Sequence, residues 1–306
     1  MDTDKSKPLT SFALFFYNQS KYVKDAIEGA LAQDYQNLEI ILSDDGSTDN
    51  TYSVIQDCIK DYHGPHKIIV NRNESNLGIA KHVNKVLYEL CHGEYVVLGA
   101  GDDVSLPSRV SMSVGFFEGH KEISSLSTES LQVDSELQPI NKYNHFLGKG
   151  TYTVLTLDDY CKFHDFFIYS GDSRALRRIV IESFPPFKDS KEEDLELFIR
   201  SLLLGPIALI HEPLVKRRID GNNVSKRAVS VEHRLAQNSQ IKNDICYARE
   251  KGIIDDIQKN AIINKVDSVT RILINVDNSR RHPLLYKLFR GLSITVEKIG
   301  FAICKL

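Results

Sequence analysis

Short apolar runs and segments of helical period alternate through the N-terminal third of the chain. The apolar runs are Phe12–Tyr17, Glu39–Leu42, Lys67–Val70 and Tyr95–Leu98, and between them lie Val23–Leu31, Thr51–Ile59 and Ile79–Leu90. In the first helical segment Val23, Ile27, Ala30 and Leu31 share one face. Strands alternating with helices at this spacing predict an α/β fold built of βαβ units, a mostly parallel, Rossmann-like sheet flanked by helices. Ligands of such a sheet gather at the carboxyl ends of its strands. The unusual polar residues stand at those ends: Tyr17-Asn18, Ser43-Asp44-Asp45-Gly46-Ser47, Asn71–Asn76 and Asp102-Asp103.

The stretch Leu98–Pro107, LGAGDDVSLP, puts two glycines and then two adjacent carboxylates after a buried run. Gly99-Ala-Gly101 imitates the start of a dinucleotide fingerprint, but the third small residue would fall at Val104, and a pyrophosphate there would meet two like charges. The remaining readings are a polar turn capping the next helix, or a pair of carboxylates holding a divalent cation that bridges to nucleotide phosphates. In Asp44–Thr51, Ser47 or Thr48 is placed to cap the following helix, and one carboxylate is placed to accept the N3–H of a pyrimidine. Further on, a polar stretch from Ser124 to Gly150 reads as a loop or hairpin. An acidic cluster, Lys191-Glu192-Glu193-Asp194, precedes a helical segment Leu195–Leu204 and a strand-like Ile207–Ile210, and Val229 to Val276 is helical and charged.

The formal net charge of −3 argues against nucleic acid as a partner. The five cysteines, Cys58, Cys91, Cys161, Cys246 and Cys304, have no CxxC spacing and read as reduced thiols of a cytoplasmic protein. The N-terminus has no apolar signal core, and no run of about 18 apolar residues is present, so neither secretion nor membrane insertion is expected.

Three stretches standing in order, YNQSKYVKDAIEGALAQDYQNLEIILSDDGSTDNT, NLGIAKHVN and GEYVVLGAGDD, followed by KEEDLELFIR and RRIDGNNVS, resemble the family 2 inverting glycosyltransferases of the A-type fold over roughly residues 10 to 227. The resemblance implies that Asp45 binds a uracil-type base, that Asp103 ligates Mn²⁺ or Mg²⁺ with Asp102 beside it, and that Tyr17 and Asn18 floor the nucleotide pocket. Gly78 would allow close backbone approach, and Lys81 would reach the ribose or phosphates; the plainer reading of Lys81 is a solvated helix face. Asp194 would be the catalytic base, with Glu193 its neighbour; the plainer reading is acids favouring a helix start. Arg217, Arg218, Asn222, Asn223 and Ser225 would close over the diphosphate. The chain departs from the family at Asp220, where His is common, and at Ala100, where an acid is common.

The last segment places Leu284, Leu288, Leu292, Val296, Ile299 and Ile303 at helical spacing, flanked by Arg280, Arg281, Lys287, Arg290, Lys298 and Lys305. Such a stretch suits an anionic membrane surface, a packed helix or a dimer contact. The whole implies a nucleotide-sugar-binding half over 1–110, an acceptor and catalytic-base half over 111–228, and a helical C-terminal region with a basic amphipathic tail over 229–306. The expected function is metal-dependent, inverting transfer from a nucleotide-sugar donor, a UDP-sugar, to a glycan or lipid-linked acceptor of surface polysaccharide, at the inner face of the cell membrane. A catalytically silent nucleotide-sugar-binding protein and another metal-dependent nucleotide-handling enzyme are the alternatives.

Overall fold

The computed structural model describes residues 7–142, 150–162, 171–188, 190–219 and 229–280. The expectations for Asp220, Asn222, Asn223, Ser225 and the stripe from Leu284 to Ile303 lie outside the described residues.

The N-terminal part is β1 (Thr10–Phe16), α1 (Val23–Leu31), β2 (Leu38–Asp44), α2 (Thr51–Ile59), β3 (Lys67–Arg72), α3 (Ile79–Lys85) and β4 (Tyr95–Ala100). There follow β5 (Val104–Ser105), α4 (Arg109–Gly119), β6 (Ser125–Val133), β7 (Pro139–Lys142), β8 (Tyr152–Leu155), α5 (Leu157–Lys162), β9 (Ala175–Arg177), α6 (Arg178–Glu182), α7 (Asp194–Leu204) and β10 (Ile207–Arg218). Two helices, α8 (Val231–Glu250) and α9 (Asp256–Arg280), complete the described chain. The strands form one sheet in the order β3-β2-β1-β4-β9-β6-β10-β5, with β7 on β6 and β8 on β10. From β3 to β4 every pairing is parallel, and β6 and β10 are parallel to each other. The strand β9 is antiparallel to both β4 and β6 and joins the two parts.

Burial on both faces explains the near-continuous apolarity of the first strands. Phe12, Leu14, Ile40, Leu42, Tyr95 and Val97 pack on one face with α1, α2 and α4. The alternate positions Ala13, Ile41, Val96 and Leu98 pack on the other with α3, α6 and α7. A third cluster joins Phe198, Ile199 and Leu202 of α7 to Ile241, Ile245, Ile262 and Val266, and so seats α8 and α9 on the body of the fold. No helix among the described residues is long and apolar enough to cross a membrane.

The segment read as one helix over Ile79–Leu90 instead changes at Val86 to a π-helical turn, Val86–Leu90, which brings Val86 and Leu87 together into the core. The polar stretch read as loop or hairpin contains the central strand β6, and only its end forms a hairpin, with β7. The polar groups of β6 are buried because distant groups satisfy them. The Ser173 hydroxyl donates to the Thr128 carbonyl at 2.8 Å, and the Ser130 hydroxyl donates to Asp172 Oδ2 at 3.1 Å. The strand read as Ile207–Ile210 runs on, through a register irregularity, to Arg218.

Candidate active site

The register converges the polar strand ends. Phe16 of β1 stands opposite Asp44 of β2, and Asp44 opposite Arg72 of β3. Antiparallel pairing of β9 with β4 delivers the turn Gly171–Ser173 to the carboxyl end of β4, and antiparallel pairing of β10 with β5 brings Arg217 and Arg218 beside Asp102 and Asp103.

At the β2 end, Asp45 is 3% exposed and its carboxylate is held by the following loop. Asn73 Nδ2 and the Leu77 N–H donate to Oδ1 at 2.8 and 2.9 Å, and the Gly78 N–H donates to Oδ2 at 3.1 Å. Lys85 Nζ fixes the Asn73 amide from behind at 2.9 Å. Gly46 has φ +69°, and a side chain there would strike the backbone of Ser75 and Asn76, so the two loops pack directly on each other. Gly78 has φ +81° with open space where a Cβ would stand, which leaves its backbone approachable. Asn18, at φ 51°, accepts the Thr48 N–H on Oδ1 at 2.9 Å while its own N–H donates to Ser47 Oγ at 2.9 Å, and its neighbour Tyr17 is exposed. Lys81 is exposed on the first turn of α3, one turn beyond Gly78. The start of α2 is capped by neither Ser47 nor Thr48. Asp49 Oδ1 accepts the Thr51 N–H at 2.9 Å, while Ser47 donates to Asp44.

At the β4 end the glycines serve packing. A side chain on Gly101 would meet Phe16 Cδ1 at 2.4 Å and the Phe15 carbonyl at 2.8 Å, so the glycine lets the turn tuck against β1. Asp103 is 9% exposed and accepts the Arg218 backbone N–H at 2.8 Å. Its pKa is raised well above the ordinary carboxylate value, first by burial and then by the charges of Asp102 and Asp172, against which the Arg218 N–H and Arg217 pull. Asp172 is nearly buried, faces Arg217 Nε at 3.7 Å, and leaves Oδ1 without a hydrogen-bond partner. Beneath it lies Arg109, 1% exposed, whose guanidinium donates to the Asp172 carbonyl at 3.1 Å and to Ser105 Oγ at 2.8 Å.

Arg218, expected at the diphosphate, is a buried brace instead. Its side chain is 1% exposed, donates to the Asp102 carbonyl at 2.9 Å and to Asp25 of α1, and lies over the Tyr22 ring. Arg217 is the partly exposed member of the pair and faces Asp172.

Across the turn, Asp194 opens α7 and Glu193 is its N-cap residue. The Asp194 side chain is 51% exposed, and Arg174 NH1 lies 3.8 Å from its Oδ1. Although the side chain is half exposed, the protein crowded around the carboxylate raises its pKa, Arg174 and Arg217 lower it, and Asp172 raises it, with a net upward shift. The Glu193 pKa is raised as well, first by burial and then by the charge of Asp194. The site therefore assembles Asp102, Asp103, Asp172, Asp194 and Arg217 at one edge and Asp45, Asn18 and Gly78 at the other. Asn73, Arg109, Asp172 and Arg174 carry contacts that sequence patterning does not assign, since each is a lone polar residue whose role depends on partners far along the chain.

The family model of glycosyl transferase family 2 matches residues 11–184, which takes in every strand end up to the Gly171 turn and stops before Asp194. An uncharacterized glycosyltransferase of Haemophilus influenzae is 26% identical over 290 residues, 93% of this chain and 87% of the relative. Among solved structures, S. aureus TarS 1-349 in complex with UDP-GlcNAc superposes with a TM-score of 0.64 at 20% identity, over 83% of this chain and 70% of that one. The mannosyltransferase PcManGT of Pyrobaculum calidifontis in complex with GDP-Man and Mn²⁺ gives a TM-score of 0.58 at 15% identity, over 97% of this chain and 86% of that one.

Proposed function

The chain belongs to glycosyl transferase family 2, and on that premise we propose that it moves a sugar, with inversion, from a UDP-sugar to a hydroxyl of a glycan or lipid-linked acceptor in surface-polysaccharide synthesis. The observation that carries the reading is the juxtaposition of two acidic groups at one sheet edge. Asp103 stands beside Asp102 at the end of β4, and Asp194 stands over the Gly171 turn that β9 delivers to the same end.

Asp45, fixed by Asn73 and the Leu77 and Gly78 N–H groups, is the acceptor for a base N–H. Tyr17 and Asn18 floor the pocket, the Gly78 backbone approaches the nucleotide, and Lys81 and Arg217 reach its ribose and phosphates. TarS, with UDP-GlcNAc bound, supports a uridine donor.

The chemistry of the β4 end fits a divalent cation, because Asp103 is pressed by the like charges of Asp102 and Asp172. No group of three or more His, Cys, Asp or Glu among the described residues is arranged to hold a metal by itself. Asp103 and Asp102 would thus share the ion with donor phosphates and water. When bound, Mn²⁺ or Mg²⁺ would offset the charge growing on the leaving diphosphate. Asp194, with Glu193 beside it, takes the proton of the attacking acceptor hydroxyl. Residues 1–110 then serve the donor, 111–228 the acceptor and base, and the basic tail rests on the anionic inner face of the membrane.

A thermal-shift screen of nucleotide sugars with and without Mn²⁺ tests the reading, since a ligand of the native state raises its apparent stability. A UDP-sugar that stabilises only with Mn²⁺, and is slowly hydrolysed to UDP, supports it. Stabilisation with no turnover on any acceptor indicates a silent binding protein.

A further inference from the structure

We propose that Arg174 is the positioning residue of the base: it clamps Asp194 against the Gly171 turn and supplies the positive charge that offsets Asp172. The proposal rests on the reading of Asp194 as base. Arg174 is 2% exposed although it occupies the short link between the Gly171–Ser173 turn and β9. Its carbonyl accepts the Leu98 N–H at 2.9 Å, so its backbone is an extension of the β4 pairing and not a free loop. From that anchor NH1 donates to the Asp194 carbonyl at 2.7 Å and faces Asp194 Oδ1 at 3.8 Å. Contact at the main chain and the carboxylate together holds the first residue of α7 by two handles.

Gly171 completes the seat. A Cβ there would stand 1.8 Å from Asp194 Oδ1, so the carboxylate rests directly on bare backbone. The charges facing Asp194 are Arg174 and Asp172 from the turn and Arg217 from β10, with Glu193 next to it in the chain. Arg217 is divided between Asp172 and Asp194, and it is partly exposed. Arg174 is the buried cation of this group and is screened least by solvent. A base that sits beside another carboxylate needs such a cation to be charged at working pH and to point at the acceptor.

The test is carboxyl titration by ¹³C NMR of the full-length, aspartate-labelled chain, with the Asp194 resonance identified by its loss in Asp194→Asn. Arg174→Gln removes the charge and, being shorter, also withdraws the NH1 donor from the Asp194 carbonyl, whereas Arg174→Lys keeps the charge. Arg174→Gln is expected to move the Asp194 midpoint up by about one pH unit, a tenfold change in proton affinity. Arg174→Lys is expected to restore most of the shift. The acid limb of kcat/KM for Mn²⁺-dependent UDP release from UDP-GlcNAc should move by the same amount in Arg174→Gln, with donor affinity unchanged. Gly171→Ala, which displaces the carboxylate without touching a charge, is expected to lower kcat about tenfold or more at constant donor affinity. An Asp194 midpoint in Arg174→Gln equal to that of the wild type overturns the proposal. Wild-type turnover by Asp194→Asn overturns instead the assignment of the base, so the two failures are distinguishable.

Discussion

Arg218 grips the acidic turn from two sides: its backbone N–H donates to Asp103 Oδ1 at 2.8 Å, and its guanidinium donates to the Asp102 carbonyl at 2.9 Å. The same guanidinium reaches Asp25, so α1, β10 and the end of β4 meet at one buried cation. Arg218→Ala is expected to cost about 2–4 kcal/mol, since hydrogen bonds to a buried charge are lost and the Asp102 carbonyl loses its donor. Urea unfolding measures that cost. Calorimetry on the folded variant should show weaker nucleotide binding in Mn²⁺; wild-type binding there would show that the brace does not position the acids.

Removing charge at Asp103 should act in opposite directions on the free and the loaded protein. A carboxyl whose folded pKa is raised makes folding less favourable as pH climbs above its unfolded value, and the deficit grows until pH passes the folded pKa. Asp103→Asn removes that deficit. The metal-free variant should melt at or about 2 °C above wild type at pH 7, and the further rise produced by Mn²⁺ with a uridine nucleotide should vanish. A retained Mn²⁺-dependent rise would exclude Asp103 as a ligand.

Asp45 is both a proposed base acceptor and the anchor of its own loop. Asp45→Ala should therefore lower stability by about 1–3 kcal/mol, because Asn73 Nδ2 and two loop N–H groups lose their acceptor. Among nucleotides, UDP should weaken most, about tenfold or more. Equal weakening of UDP and GDP in calorimetry would leave Asp45 with the structural role alone.

Within α7, six residues beyond Asp194, Arg200 forms a bidentate pair with Asp244 at 2.7 and 2.9 Å with both side chains buried, and Arg200 lies over the Phe187 ring. Either single alanine substitution strands a buried charge and should cost about 3–5 kcal/mol. Arg200→Leu with Asp244→Leu should cost less than the sum of Arg200→Leu and Asp244→Leu measured singly, which a double-mutant cycle in urea would reveal.

Glu39, fully buried at the opposite end of β2, gives the acid response. Burial pushes its pKa up, but the Ser11 hydroxyl, the His92 N–H and the charges of His92 and Lys67 outweigh that and leave it below its usual value of 4.5. A depressed carboxylate stabilises the fold above about pH 4.5, and the contribution is lost as pH falls through the folded pKa. Glu39→Gln should thus be less stable than wild type by about 1–3 kcal/mol at pH 7, with the gap closing below pH 4.5. A gap that stays constant with pH would assign the loss to packing.

The N-terminal half was legible because each strand is apolar on both faces and each ends on polar residues, so Val23–Leu31 and Thr51–Ile59 match α1 and α2 end to end. The second half was not, because β6 hides polar groups, the Thr128 carbonyl and the Ser130 hydroxyl, whose partners, Ser173 and Asp172, lie about forty residues away. Arg217 and Arg218 look alike in sequence. In a strand their side chains leave on opposite faces, so one meets Asp172 at the site and the other Asp25 beneath it. The same applies to Asp172 and Arg174, neighbours whose weight comes from the antiparallel entry of β9.

That entry has a mechanical consequence. With β9 hydrogen-bonded to β4 on one edge and β6 on the other, a single ladder runs unbroken beneath both groups of acids. Swinging one half away from the other would demand rupture of a row of backbone hydrogen bonds at once, so the sheet behaves as a girder and not as a hinge. The turns that carry Asp103 and Asp172, each joined directly to one of these strands, are accordingly mounted on one stiff body.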